Sequence, residues 1–167
     1  MRSIIVAYDE LRTIGKDGGL PWAGKLPADM LHFRDLTEER AVIMGRRTYD
    51  SLPERFRPLP NRQNIVLSLS ERAIWGAVVV PNVKEALLLA GDNGMVIGGA
   101  QIYRQLLPYV DRVYATEIAT QTEGGDAFFP ELPDDEWTES ESEDFEADAR
   151  NRFAYRFVTY LRRSSIE

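Results

Sequence analysis

Short apolar runs rich in β-branched residues recur along the chain. They lie at 3–8 (SIIVAY), 41–44 (AVIM), 64–67 (NIVL), 77–80 (AVVV), 95–97 (MVI) and 112–118 (RVYATEI). Runs of this length without strict polar alternation predict strands buried on both faces, the habit of a mainly parallel sheet. Between them the apolar spacing turns helical over 27–36, 46–52, 83–90 and 100–107. Alternating strands and helices predict an α/β domain with right-handed crossovers. The last part of the chain differs: 137–145 alternates weakly, 155–161 (YRFVTYL) is an aromatic strand, and only a polar stretch separates them. That spacing predicts an antiparallel pair at one sheet edge. The expected architecture is one domain over residues 1–167, a mixed, mainly parallel eight-stranded sheet with about four flanking helices.

Composition narrows the chemistry. With 167 residues, 44% of them hydrophobic and 28% charged, the chain suits a single core-forming domain. No apolar run approaches the roughly 20 residues of a membrane helix, and the apolar run in MRSIIVAYDE is too short for a signal peptide. A cytoplasmic protein is the expectation. There is no cysteine and one histidine, His32, so disulfides, thiolate catalysis and multi-histidine zinc sites are excluded, and no metal site is expected. The net charge of −7 is unevenly placed. Residues 1–112 carry 15 basic and 13 acidic groups, whereas 113–149 carry 13 acidic groups and no Lys or Arg. No continuous basic face for nucleic acid is evident, and the acidic segment reads as solvated surface.

Three turns deserve chemical tests. The stretch Gly19 to Lys25 matches G-x-x-x-x-G-K, but Leu26 stands where a phosphate loop needs Ser or Thr, and Pro21 has no N–H to offer. It is a chance match. Ile97-Gly98-Gly99-Ala100 closes a strand and opens a helix, where a glycine pair lets backbone approach a ligand; a plain tight turn explains it equally. Gly45-Arg46-Arg47-Thr48 follows another strand and offers two guanidinium groups and a hydroxyl to phosphate. Two such turns at the C-terminal ends of parallel strands would flank one crevice. Asp29 lies in the first turn of the 27–36 helix, where it favours the helix dipole by roughly 0.3–1 kcal/mol. Its neighbours, however, are Met30, Leu31 and Phe33 on the helix and Leu20 and Trp22 on the preceding loop. A carboxylate in apolar surroundings needs a partner, and a ligand edge with two parallel N–H donors would supply one.

Taken together, IGKDGGLPW (14–22), LPADMLHFR (26–34), VIMGRRTYDSL (42–52), RPLPNRQNIVLS (57–68), VIGGAQIYRQLLP (96–108), TEI (116–118), EGGDAFFP (123–130) and YRFVTY (155–160) resemble the dihydrofolate reductases in order and spacing. The resemblance implies hydride transfer from NADPH to C6 of dihydrofolate, with a proton delivered to N5. It implies that Asp29 grips the 2-amino and N3 edge of the pterin, that Thr116 bonds that carboxylate or a nearby water, and that Trp22 holds an ordered water beside it. Ile5, Ala7, Met30, Phe33, Leu52 and Ile97 would line the substrate pocket, with Leu20 as a mobile cover. Arg62 would take the α-carboxylate of the glutamate tail, with Arg57 and Arg34 as weaker candidates. Ala7, Ile14, Gly15 and Leu20 would meet the nicotinamide end of the cofactor, and Tyr103 its ring. Gly45, Arg46, Arg47, Thr48, Leu67 and Ser68 would hold the phosphate and adenosine side. Gly98, Gly99, Ala100, Gln101 and Ile102 would cover the pyrophosphate, with Ile97 behind them and a cis bond between the glycines. Antifolates of the methotrexate and trimethoprim class, and a monomeric state, belong to the same expectation.

The chain departs from the pattern in places. Ala23-Gly24-Lys25 lengthens the loop before LPAD by two residues, Leu69 follows Ser68 near the expected 2′-phosphate contact, and Gln101 stands where some relatives have arginine. Two rival readings remain at this point. One is the related riboflavin-pathway reductase, which shares fold and NADPH but needs neither Asp29 nor Arg62; the other is a pteridine-binding module without turnover.

Overall fold

The computed structural model describes residues 1–70 and 72–164. Its main sheet has eight strands: β1 (Ser3–Asp9), β3 (Ala41–Gly45), β4 (Gln63–Leu67), β5 (Val78–Val80), β6 (Met95–Gly98), β7 (Arg112–Ile118), β9 (Trp137–Phe145) and β10 (Tyr155–Arg162), in the order β5-β4-β3-β6-β1-β7-β10-β9. The pairs from β5 through β7 are parallel, and β10 runs antiparallel to both β7 and β9. The eight-stranded, mainly parallel sheet and its antiparallel edge are therefore as the hydrophobic pattern predicts. Four helices flank it: α1 (Pro27–Thr37), α2 (Arg46–Ser51), α3 (Val83–Ala90) and α4 (Ala100–Leu106).

Side-chain alternation splits the core across the two faces of the sheet. Ile4, Val6 and Tyr8 of β1 join Ile43, Ile65 and Val96 on one face, while Ile5 joins Val42, Met44, Val66 and Met95 on the other. These residues are buried on both sides, which is why the strands read as continuous apolar runs. The acidic strand β9 is different, for all its carboxylates are exposed and only Trp137 is buried. As an edge strand it carries charge along its length, which discourages edge-to-edge pairing.

The chain order places the site. After β1 the chain passes to β3, β4 and β5, returns to insert β6 between β3 and β1, then crosses to β7 on the far side of β1. The C-terminal ends of β3, β6, β1 and β7 thus converge at the place where the winding reverses, the usual position of ligand crevices in such sheets. The sequence pattern missed a second sheet, in which β2 (Thr13–Gly15) pairs with β8 (Ala127–Phe128).

Candidate active site

α1 starts without a side-chain cap of its own, since Leu26 occupies the cap position and Pro27 follows at the first helical residue. Asp29 sits in this first turn, and its Oδ1 accepts a hydrogen bond of 2.7 Å from the Thr116 hydroxyl on β7. Thr116 is fully buried and pairs in register with Ala7 of β1 and Phe157 of β10. Three strands therefore fix the hydroxyl that holds the carboxylate. Burial raises the Asp29 pKa above its ordinary value, and the Thr116 hydrogen bond only partly opposes that. Among the described residues Thr116 is the hydrogen-bond partner of this carboxylate, so it stands undercompensated and ready for a ligand with N–H donors.

The surroundings are apolar on the inner side and open on the outer. Ile5 is buried in the same cluster against which Phe33, Leu52 and Ile97 pack, and Ala7 packs beside buried Trp22 and Leu26. A small cavity brings Leu20, Trp22, Leu26, Asp29 and Met30 together. The expected apolar ring around Asp29 needs correction on one point. Leu31 is exposed and does not line the cavity, while Met30 and Leu20, also about half exposed, form the rim rather than the floor. Trp22 is 3% exposed, and its Nε1 is buried with no partner among the described residues. An indole donor in that state seeks a polar acceptor.

The glycine turn lies beside this pocket. Gly98 pairs with Met44 across β6 and β3, so the turns at 45–48 and 98–101 are neighbours. The bond between Gly98 and Gly99 is cis. Gly98 has φ +120°, and a Cβ there would come within 3.2 Å of the Tyr103 hydroxyl. A Cβ at Gly45 would meet Ile102 at 3.0 Å, and one at Gly99 would lie 3.4 Å from Thr48 Oγ1. The glycines thus form a cradle of two tight turns on whose backbone Ile102, Tyr103 and Thr48 pack closely, with Ala100 and the exposed Gln101 continuing it into α4. Tyr103 is buried at its floor, its hydroxyl within 2.8 Å of the Ile5 carbonyl oxygen and 2.9 Å of that of Ile97. Burial pushes its pKa well upward, and the Asp29 charge adds to this, so it stays a neutral donor that ties β1 to β6.

On the far side of the cradle Arg46 pairs with Asp50 at 3.4 Å and reaches Ser70 at 3.3 Å, while Arg47 is exposed. Leu67 ends β4 there and Ser68 follows it, its N–H donating to the Val80 carbonyl. Ile14 and Gly15 lie on β2; Ile14 packs on the core and a Gly15 Cβ would lie 3.1 Å from Ala127. Arg62 is the most firmly held of the three candidate tail arginines. Its guanidinium donates to Thr37 Oγ1 at 2.9 Å and to the Pro60 carbonyl at 2.8 Å, and it lies 6.0 Å from the centre of the Phe33 ring. Arg57 donates to the Asp50 carbonyl, and Arg34 pairs with Asp35 in solvent.

The Gly19–Lys25 stretch does not form a phosphate nest. The Ala23 and Lys25 N–H groups donate to the Leu20 and Trp22 carbonyls inside successive turns, leaving them unavailable to an anion. Two carboxylates escaped the sequence reading. Asp9 is buried and accepts from the N–H groups of Leu11, Thr13 and Thr122. Burial works against its charge, but these bonds outweigh it and hold its pKa below the ordinary value. The Asp9-to-Leu11 spacing is an Asx-turn signal that could have been read. Glu117 accepts from the Tyr8 and Tyr160 hydroxyls, both at 2.8 Å, and pairs with Arg156. It lies in the acidic segment yet is not simply solvated, and no local pattern announces partners so distant in sequence.

A crevice at the strand ends, with an anchored carboxylate on one side and a glycine cradle on the other, defines a small α/β domain built to hold two ligand parts side by side. Comparison with known proteins is specific. The family model described as Dihydrofolate reductase matches residues 1–162. The chain is 41% identical to dihydrofolate reductase of Bacillus subtilis, over 99% of this chain and 96% of that protein. It is also 41% identical to that of Mycobacterium tuberculosis, with 97% and 98% covered. A solved structure of dihydrofolate reductase from Enterococcus faecalis, complexed with NADP(H) and RAB-propyl, superimposes with a TM-score of 0.87 at 35% identity, covering 98% of this chain and 97% of that one. The chain belongs to the dihydrofolate reductase family.

Proposed function

We propose that this chain reduces 7,8-dihydrofolate to 5,6,7,8-tetrahydrofolate with NADPH, and so serves one-carbon metabolism. The observation that carries this reading is the Asp29–Thr116 pair at the edge of an apolar cleft, because a pterin presents a 2-amino and N3 edge that such a carboxylate can grip. The rival riboflavin-pathway reading has no use for this pair or for Arg62, and the family match favours the folate reading.

The residues present fit the cofactor. Gly45, Gly98 and Gly99 let Ile102, Tyr103 and Thr48 pack directly on the backbone of two neighbouring strand-end turns, and a pyrophosphate would lie along those turns. Arg46, Arg47, Thr48 and Ser68 would hold the phosphates and adenosine, and Ala7, Ile14, Gly15 and Tyr103 the nicotinamide end. When bound, NADPH supplies the hydride that C6 receives. The chain's own part is alignment and electrostatics. Asp29, kept by Thr116, orients the pterin; Ile5, Phe33, Leu52 and Ile97 exclude water from its flat faces; Arg62 takes the tail carboxylate. Trp22 Nε1 would hold a water beside Asp29, and solvent entering past Leu20 and Met30 would deliver the proton to N5.

On this reading the enzyme is a cytoplasmic monomer that takes methotrexate- and trimethoprim-like antifolates in the same cleft. The test is to mix protein, NADPH and dihydrofolate and follow reduced-nicotinamide absorbance. Loss of absorbance only when dihydrofolate is present supports the reading. Tight methotrexate binding without turnover would instead leave a binding module.

A further inference from the structure

The first turn of α1 has one N–H to satisfy from outside, that of Ala28: Pro27 has none, and the Asp29 N–H reaches the Leu26 carbonyl at 3.1 Å. No side chain before the helix caps it. The acceptor comes instead from the turn between β9 and β10, where Asn151 Oδ1 receives the Ala28 N–H at 3.0 Å across 123 residues of sequence. Asn151 is buried, at 7% exposure. It is itself held: its Nδ2 donates to both oxygens of Asp148 at 3.1 and 3.2 Å, and Asp148 Oδ1 also accepts from the backbone N–H groups of Arg150 and Asn151. One residue on, the Arg152 N–H donates to the Lys25 carbonyl at 2.9 Å. The turn therefore grips the chain on both sides of Pro27, one residue before the carboxylate that Thr116 must meet.

We propose that Asn151 is a positioning residue for Asp29, capping from a distant turn the helix that carries the carboxylate. The proposal deepens the folate-reductase reading and rests on it. An Asn side chain is a strong acceptor for an orphan helix N–H, and here its other end is fastened to a carboxylate, which fixes its rotamer and the direction of its oxygen. Loosening that bond lets the first turn fray, and Asp29, as part of that turn, loses its distance to Thr116. The cofactor cradle lies on α2 and α4 and is untouched by the change.

The test uses the full chain with two variants. Asn151→Leu removes acceptor and donor. The exchange of both residues, Asp148→Asn with Asn151→Asp, keeps the pattern: the new carboxylate accepts from Ala28 and the new amide donates to it. In Asn151→Leu, hydrogen exchange of the segment covering 26–30 should quicken and methotrexate affinity should fall roughly 2- to 30-fold, the span of a lost capping bond. NADPH affinity should stay within about twofold. The paired exchange should restore both the slow exchange and the methotrexate affinity. Asn151→Leu with lower Tm but unchanged methotrexate affinity overturns the proposal. So does a paired exchange that fails to fold, or folds without restored affinity, and if Asn151→Leu does not fold the paired variant decides alone. Absence of dihydrofolate turnover in the unaltered protein would instead sink the folate reading, and hydrogen exchange at 26–30 would still report on the cap.

Discussion

Thr116→Val isolates the contact on which the site depends. The substitution keeps shape on a fully buried position of β7 and removes only the hydroxyl that donates to Asp29 Oδ1 at 2.7 Å. That length lies in the charge-assisted range. A hydrogen bond to a charged group is worth about 1.5–3 kcal/mol, equivalent to roughly 10- to 150-fold in an equilibrium constant. Asp29 borders an open cleft, where water replaces part of the lost bond, so the lower end, about 10- to 30-fold, is the expected effect. Burial already raises the Asp29 pKa and Thr116 opposes it; without the hydroxyl it rises further. Methotrexate titration at neutral pH, read by tryptophan fluorescence, should show this weakening, while Thr116→Ser, which keeps the hydroxyl, should bind nearly as the unaltered protein does. Equal affinity for the Val and unaltered proteins, or equal loss in Val and Ser, would refute the reasoning.

Other consequences follow from the same geometry. Because burial raises the Asp29 pKa above 3.8, folding stability declines as pH rises from that value through the folded pKa. Asp29→Asn should accordingly raise Tm at neutral pH and lose this advantage below about pH 3.8, as a thermal melt series shows. Asp9 behaves oppositely, since its pKa lies below 3.8: its contribution is present above that value and lost as pH falls through the folded pKa. Asp9→Ala leaves the N–H groups of Leu11, Thr13 and Thr122 without their acceptor and should cost about 1–3 kcal/mol for each that stays dry, seen in urea unfolding. Gly98→Ala places a Cβ 3.2 Å from the Tyr103 hydroxyl at φ +120°; it should destabilise by about 1–3 kcal/mol and weaken NADPH binding in a fluorescence titration.

The fold was largely legible because its parallel strands are buried on both faces, so each announces itself as an apolar run. The pair β2–β8 was not, since strands of three and two residues are too short for any period. At the site, Asp29, the Gly98–Gly99 turn and Arg46 could be singled out from residue type and position alone. Their assembly could not: the Thr116 hydroxyl, named in advance only through the family resemblance, reaches Asp29 across 87 residues and the Asn151 cap across 123, and such contacts exist only once the sheet order is set. The half-exposed Met30 and the solvent-facing Leu31 show the limit of reading surroundings from neighbours in sequence, because adjacent helical residues point about 100° apart.

The claim at the centre is that a single carboxylate, Asp29 held by Thr116, makes the pterin reducible. Steady-state turnover of Asp29→Asn with saturating NADPH and varied dihydrofolate at neutral pH tests it most directly. The account predicts a folded protein with NADPH affinity unchanged and kcat/KM reduced by roughly 100-fold or more, as the loss of two charge-assisted hydrogen bonds at about 1.5–3 kcal/mol each implies. Turnover equal to that of the unaltered protein would contradict it.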